Sequence, residues 1–90
     1  MVDLSDEITM ELDEASRKID LALKLVDFKI LDITGKRLNV IISKYADEIT
    51  KAPDLRDKAL AVYRKLDNAK RELVKIRRQQ KREETNNHIQ

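Results

Sequence analysis

The sequence predicts an all-α protein: a three-helix bundle of long, short and long helices, or a helical hairpin, with coiled-coil-like heptad packing in a dimer. Charged residues make up 40% of the 90 positions, well above the roughly 25% usual for globular domains. One glycine and one proline leave few positions for turns. The apolar residues recur at steps of three and four, which is the spacing of one face of an α-helix.

The first predicted helix covers about residues 4–33. Asp6 and Glu7 suit its first turn, because the N-terminus of a helix carries partial positive charge. The apolar residues that follow step alternately by four and three positions. They are Ile8, Leu12, Ala15, Ile19, Ala22 and Val26. Between residues 21 and 33 further apolar residues lie on the other sides of this helix, so its second half is predicted to be buried on most sides.

The second predicted helix is short, about residues 37–51, and follows a turn at Gly35. Glycine often follows a helix C-terminus because it adopts positive φ without a Cβ clash. The apolar stripe also changes phase here, since its continuation from the first helix would bury Lys36 and Asp47. The stripe resumes at Leu38, Ile42, Tyr45, Ile49 and Ala52.

Residues 28–42 leave a second interpretation open. Phe28–Ile33 and Leu38–Ile42 are rich in β-branched residues and flank a short turn, a pattern also typical of a β-hairpin. An isolated two-stranded hairpin is only marginally stable, and the helical spacing continues through both runs. We therefore expect helices here, with an α+β fold as the alternative.

The third predicted helix, about residues 54–84, begins beside Pro53, because proline starts helices well and disrupts their interiors. Leu60, Tyr63 and Val74 flank the most regular pattern of the chain, a strict 4-3 repeat over three heptads. Its members are Leu55, Ala59, Val62, Leu66, Ala69, Leu73 and Ile76. No apolar residue follows until Ile89. Residues 1–84 are therefore predicted to form one helical domain, and residues 85–90 a flexible polar tail.

The unequal helix lengths predict association. At 1.5 Å per residue the helices would be about 45, 24 and 45 Å long, and the short one could not cover both long ones. Exposed apolar stripes mark interfaces, and two-fold dimers dominate soluble oligomers. The expected partner is a second copy, another protein, or both; a monomeric bundle with overhanging ends is the alternative. The predicted interface is Ile8, Leu12, Ile19, Leu55, Val62, Leu66, Leu73 and Ile76.

No arrangement of residues in the sequence predicts catalysis. The chain has no cysteine, and His88 lies in the predicted tail without neighbours to orient it as a general base. Carboxylate metal sites of helical bundles need Glu-x-x-His from facing helices, which does not occur here. We expect no catalytic residue, no metal or cofactor, and no small-molecule substrate.

The sequence also predicts a cytoplasmic protein without a membrane partner. Its longest run free of charge, Leu38–Ser43, is far shorter than the ~20 residues of a membrane span. The first fourteen residues carry six acids and no base, the opposite of the positive start of a signal peptide.

The leading functional prediction is a non-enzymatic adaptor or scaffold that acts through protein–protein interaction and self-association. The alternative is nucleic-acid binding through the C-terminal helix. Residues 1–52 hold eleven acids and eight bases, net −3, whereas residues 53–90 hold six acids and eleven bases, net +5. No aromatic residue lies among these bases in the sequence to stack on single strands. The possible nucleic-acid contacts are Lys70, Arg71, Lys75, Arg77, Arg78, Lys81 and Arg82.

Overall fold

The computed structural model describes the backbone of residues 3–89 and the side chains of residues 3–81. The helices are α1 (Leu4–Leu25), α2 (Phe28–Lys44), α3 (Ala46–Lys51) and α4 (Pro53–Ile89). Because residues 3–89 contain no strand, the predicted all-α class is confirmed. The β-hairpin considered for residues 28–42 is wrong, since these residues belong to α2.

The first turn lies at Val26 and Asp27, so the predicted helix over residues 4–33 is wrong. Val26 adopts the left-handed conformation, with φ 52° and ψ 51°. The Asp27 N–H donates to the Ala22 carbonyl at 3.0 Å and closes the end of α1. The Asp27 carboxylate then accepts from the Lys29 N–H at 2.9 Å. Aspartate is a strong helix N-cap, so α2 begins directly after it.

Gly35 lies inside α2, and the turn predicted at this residue is wrong. The buried side chains of α2 step by three and four across this position, at Leu31, Thr34, Leu38 and Ile41. Thr34 interrupts the apolar pattern in the sequence, but its hydroxyl donates to the Ile30 carbonyl at 2.6 Å and so is satisfied in the interior. The stripe therefore continues through the glycine without a change of phase.

The predicted second helix over residues 37–51 is divided in the structure. Its first part belongs to α2, and its second part forms α3 after Tyr45, whose ring is buried. The predicted third helix begins at Pro53, one residue before its predicted start, and extends beyond residue 84. The predicted flexible tail over residues 85–90 lies outside the residues whose side chains are described.

Charged contacts between helices show how the helices run. Asp13 contacts Lys58 at 2.6 Å and Asp20 contacts Lys65 at 2.9 Å. Both pairs have the same sequence offset, so α1 and α4 are parallel. The short turn at Val26 reverses the chain, and α2 returns antiparallel to α1, packing against both α1 and α4.

The core lies between these helices and is formed within the single chain. Its buried side chains are mainly aliphatic, as the composition predicts. They are Ile8, Leu12, Ala15, Ile19, Ala22, Leu31, Leu38, Ile41, Tyr45, Ile49, Leu55, Ala59, Val62, Leu66, Ala69 and Leu73.

α4 is much longer than the helices it packs against. Its 37 residues span about 55 Å, against about 33 Å for α1 and about 25 Å for α2. Phe28, at the start of α2, lies beside Arg77. The part of α4 beyond this contact therefore projects past the other helices, and the molecule measures 62 × 21 × 16 Å.

Candidate interaction surfaces

The residues predicted as a partner interface lie in the interior of the single chain. Ile8, Leu12, Ile19, Leu55, Val62, Leu66 and Leu73 are buried, and Ile76 is partly buried against them. The predicted helix bounds are the source of this error. α1 ends at Leu25, so it is about 33 Å long and not about 45 Å. α2 covers the apolar faces of α1 and α4 from Phe28 onward, and α3 also packs against α4.

A second row of apolar residues follows the exposed side of α4. Leu60, Tyr63 and Val74 are 48%, 37% and 40% exposed. Together with the exposed Asp67 and Lys70 they step by 3, 4, 3 and 4 positions. These five residues are called the outer seam. In the sequence its apolar members only flank the buried repeat, and their exposure distinguishes them from the core.

Two residues of the outer seam make polar contacts within the chain. The Tyr63 hydroxyl donates to the Asn39 side-chain oxygen of α2. The Asp67 carboxylate lies 3.9 Å from the Arg71 guanidinium, and both side chains are largely exposed. Neither contact removes these side chains from solvent, so the seam remains open to a partner.

The predicted nucleic-acid contacts form an exposed basic surface at the far end of α4. The structure describes six of the seven side chains, and all six are exposed. They are Lys70, Arg71, Lys75, Arg77, Arg78 and Lys81. Arg82 lies outside the described side chains. Glu72 is the only acid between residues 70 and 81.

A groove lies where the basic surface meets the start of α2, and is called the Phe28 groove. It is lined by Phe28, Val74, Arg77, Arg78, Gln80 and Lys81. The guanidinium carbon of Arg77 lies 5.0 Å from the centre of the Phe28 ring, within the range of a cation–π contact. Phe28 precedes Arg77 by 49 positions. The sequence alone does not reveal an aromatic residue among these bases, because only the helix packing brings Phe28 and Arg77 together.

The described residues contain few buried polar groups and no cluster of potential metal ligands. Thr34 is the one buried polar residue among residues 3–81, and its hydroxyl is satisfied. In the same part of the chain no group of three or more His, Cys, Asp or Glu side chains could hold a metal ion. Nor does any helix there combine the length and apolar character needed to cross a membrane. The described surface presents exposed apolar and basic side chains on helices.

Comparison with known protein families, curated proteins and solved structures finds no match for this chain. Its function is therefore inferred from the outer seam, the basic surface and the Phe28 groove.

Proposed function

We propose that this chain is a non-enzymatic helical adaptor or scaffold, which acts through protein–protein contacts and pairs with a second copy of itself through the outer seam. The supporting observation is the 3-4 spacing of the five exposed residues of the outer seam, of which Leu60, Tyr63 and Val74 are apolar, beside a separate buried core. Single exposed apolar residues are ordinary on protein surfaces. A row with heptad spacing is the arrangement by which helices pair in coiled coils.

The outer seam complements itself when two α4 helices run antiparallel. In the register that sets Asp67 opposite the partner's Lys70, Tyr63 lies opposite the partner's Val74. Two-fold symmetry repeats both pairs, because a dimer of this kind uses the same patch on both copies. A parallel pair would instead set Asp67 against Asp67 and Lys70 against Lys70. Charge complementarity therefore favours the antiparallel arrangement.

Reversal of one seam charge is expected to dissociate the dimer. Asp67→Lys places lysines opposite each other, and Lys70→Asp places aspartates opposite each other. If each of the two pairs changes from about 0.5 kcal/mol of attraction to about 0.5 kcal/mol of repulsion, the total is roughly 2 kcal/mol, or about thirtyfold in Kd. Light scattering after gel filtration should then give masses closer to the 10.5 kDa monomer.

Two combinations of these variants test the register itself. The double variant Asp67→Lys/Lys70→Asp exchanges the charges and should dimerise again. An equimolar mixture of the two single variants should form heterodimers, because each lysine then meets an aspartate. Asp57→Lys, an exposed acid of α4 outside the seam, is the matched control and should stay dimeric. A wild-type mass of one chain at the highest soluble concentration would contradict self-association.

Nucleic-acid binding through the basic surface is the second candidate function. It is favoured by the exposure of all six described cations on a helix that projects past its neighbours. A row of cations can contact successive phosphates and release their counterions, which makes binding strongly dependent on salt.

Removal of these charges is expected to abolish most of the binding. Fluorescence anisotropy with labelled single and double strands at several salt concentrations should show an affinity that falls steeply with salt. Exchange of Arg77, Arg78, Lys81 and Arg82 for glutamine should remove most of that affinity. The same exchange at four exposed bases elsewhere, Lys36, Lys44, Lys51 and Arg56, should have a much smaller effect. The absence of any binding at low salt would rule this function out.

A further inference from the structure

The Phe28 groove brings an aromatic ring, an aliphatic side chain and cations together. Phe28 packs partly against the core, and Val74 borders it from α4. Among residues 3–81 no carboxylate lines the groove. The carboxylate of Asp27, next to Phe28 in the sequence, accepts the Lys29 N–H. The groove is therefore suited to a ligand with a flat apolar part and negative charge.

We propose that the Phe28 groove receives an unpaired base of a single-stranded nucleic acid, while the basic surface holds the phosphates on either side. This proposal rests on the second candidate function and names its ligand. Nucleobases stack on aromatic rings and on guanidinium planes, and the contact of Arg77 with Phe28 offers both groups at one place. An acidic peptide is the weaker fit, since among the described residues an aliphatic anchor would find only Phe28 and Val74 as apolar contacts in an open groove.

The exposed cations of α4 continue from the groove along the helix. Arg71, Lys75 and Arg78 are spaced by four and three positions, so neighbouring side chains start about 5–6 Å apart on one face. Such a row can follow the phosphates of an extended strand. In a duplex the bases are paired and stacked, so they cannot reach the Phe28 ring. A single strand is therefore the ligand that uses both the groove and the row.

Binding to labelled oligothymidylate, measured by anisotropy over a range of salt concentrations, separates base stacking on Phe28 from the contacts of the cations with phosphates. Phe28→Leu keeps an apolar side chain in the groove but removes the ring. It should weaken binding about fivefold or more and leave the dependence on salt unchanged. Arg78→Gln should reduce the slope of log K against log salt by about 0.7. Arg56→Gln, an exposed arginine at the other end of α4, should change neither quantity. Because Val74 also belongs to the outer seam, the titrations use protein concentrations at which the chain is monomeric.

A tryptophan at the groove gives a direct signal of stacking. The chain contains no tryptophan, so Phe28→Trp introduces a single indole. Its fluorescence should be quenched as oligothymidylate saturates the protein. Polyglutamate, which offers negative charge without bases, should leave it unquenched. Circular dichroism and thermal unfolding verify that both Phe28 variants are folded.

Each remaining outcome overturns the proposal in a different way. If Phe28→Leu bound at wild-type affinity, or if Phe28→Trp bound without quenching, no base would bind in the groove. The second candidate function would still stand. Equal or tighter binding of polyglutamate would identify the groove as a site for acidic peptides. The absence of binding by any strand would remove both the groove proposal and the second candidate function.

Discussion

Leu66→Asp is expected to unfold the chain. Leu66 is 5% exposed and lies in the hydrophobic core of the chain. A carboxylate buried there without a partner costs several kcal/mol. A small aliphatic core supplies only about 3–5 kcal/mol of net stability, so this one substitution is of the same size as the free energy of unfolding. Circular dichroism should show a large loss of helicity at room temperature.

Leu60→Asp provides the matched control on the same helix. Leu60 is 48% exposed, so the same chemical change should alter the free energy of unfolding by about 0.5 kcal/mol or little more. This variant should keep its helicity. If Leu66→Asp kept both its helicity and its unfolding midpoint, the assignment of the core face of α4 would be wrong.

Substitutions at Gly35 should have opposite effects that depend on size. A Cβ atom at this position would lie 3.4 Å from the Leu66 Cδ2 atom, in ordinary van der Waals contact. Gly35→Ala should therefore raise the free energy of unfolding by up to about 1 kcal/mol, because alanine favours the helix interior over glycine. Gly35→Val adds two methyl groups with little rotamer freedom in a helix. It should displace α4 and be about 1–3 kcal/mol less stable than Gly35→Ala.

Urea unfolding gives the free energy of unfolding of these variants, which is compared with that of the same substitutions at Lys36. Lys36 is exposed, so alanine and valine there differ only in helix propensity, by less than about 0.7 kcal/mol. Its ion pair with Asp32 is lost in both variants and cancels in the comparison. If the alanine–valine difference at Gly35 were no larger than at Lys36, the close approach of α2 and α4 at the glycine would be refuted.

The core face of α4 could be predicted from the sequence alone. Every member of the repeat from Leu55 to Ile76 is buried or partly buried in the structure. Periodicity is reliable here because residues three and four positions apart share a face of any helix. No knowledge of the neighbouring helices is needed. The stripe of α1 from Ile8 to Ala22 was found for the same reason.

The position of the first turn could not be predicted in this way. The chain turns at Val26, a β-branched residue in the left-handed conformation. The sequence pattern instead predicts a turn at Gly35, the only glycine of the chain. Left-handed backbone at such a residue is unfavourable and persists only where its surroundings stabilise it. Here the Asp27 cap and the packing of α1 against α2 do so. A buried threonine at position 34 further hid the continuity of α2.

The sequence by itself determined that the protein is helical, which face of α4 is apolar, and that its C-terminal part is basic, because these properties depend on residues close together in the chain. The tertiary structure decided which apolar residues remain exposed and which cations meet an aromatic ring. The predicted interface lies in the core, whereas Leu60, Tyr63 and Val74 are exposed. Phe28 reaches Arg77 only because α2 returns alongside α4. Such contacts depend on where the turn falls and on the register between helices, which no local pattern specifies.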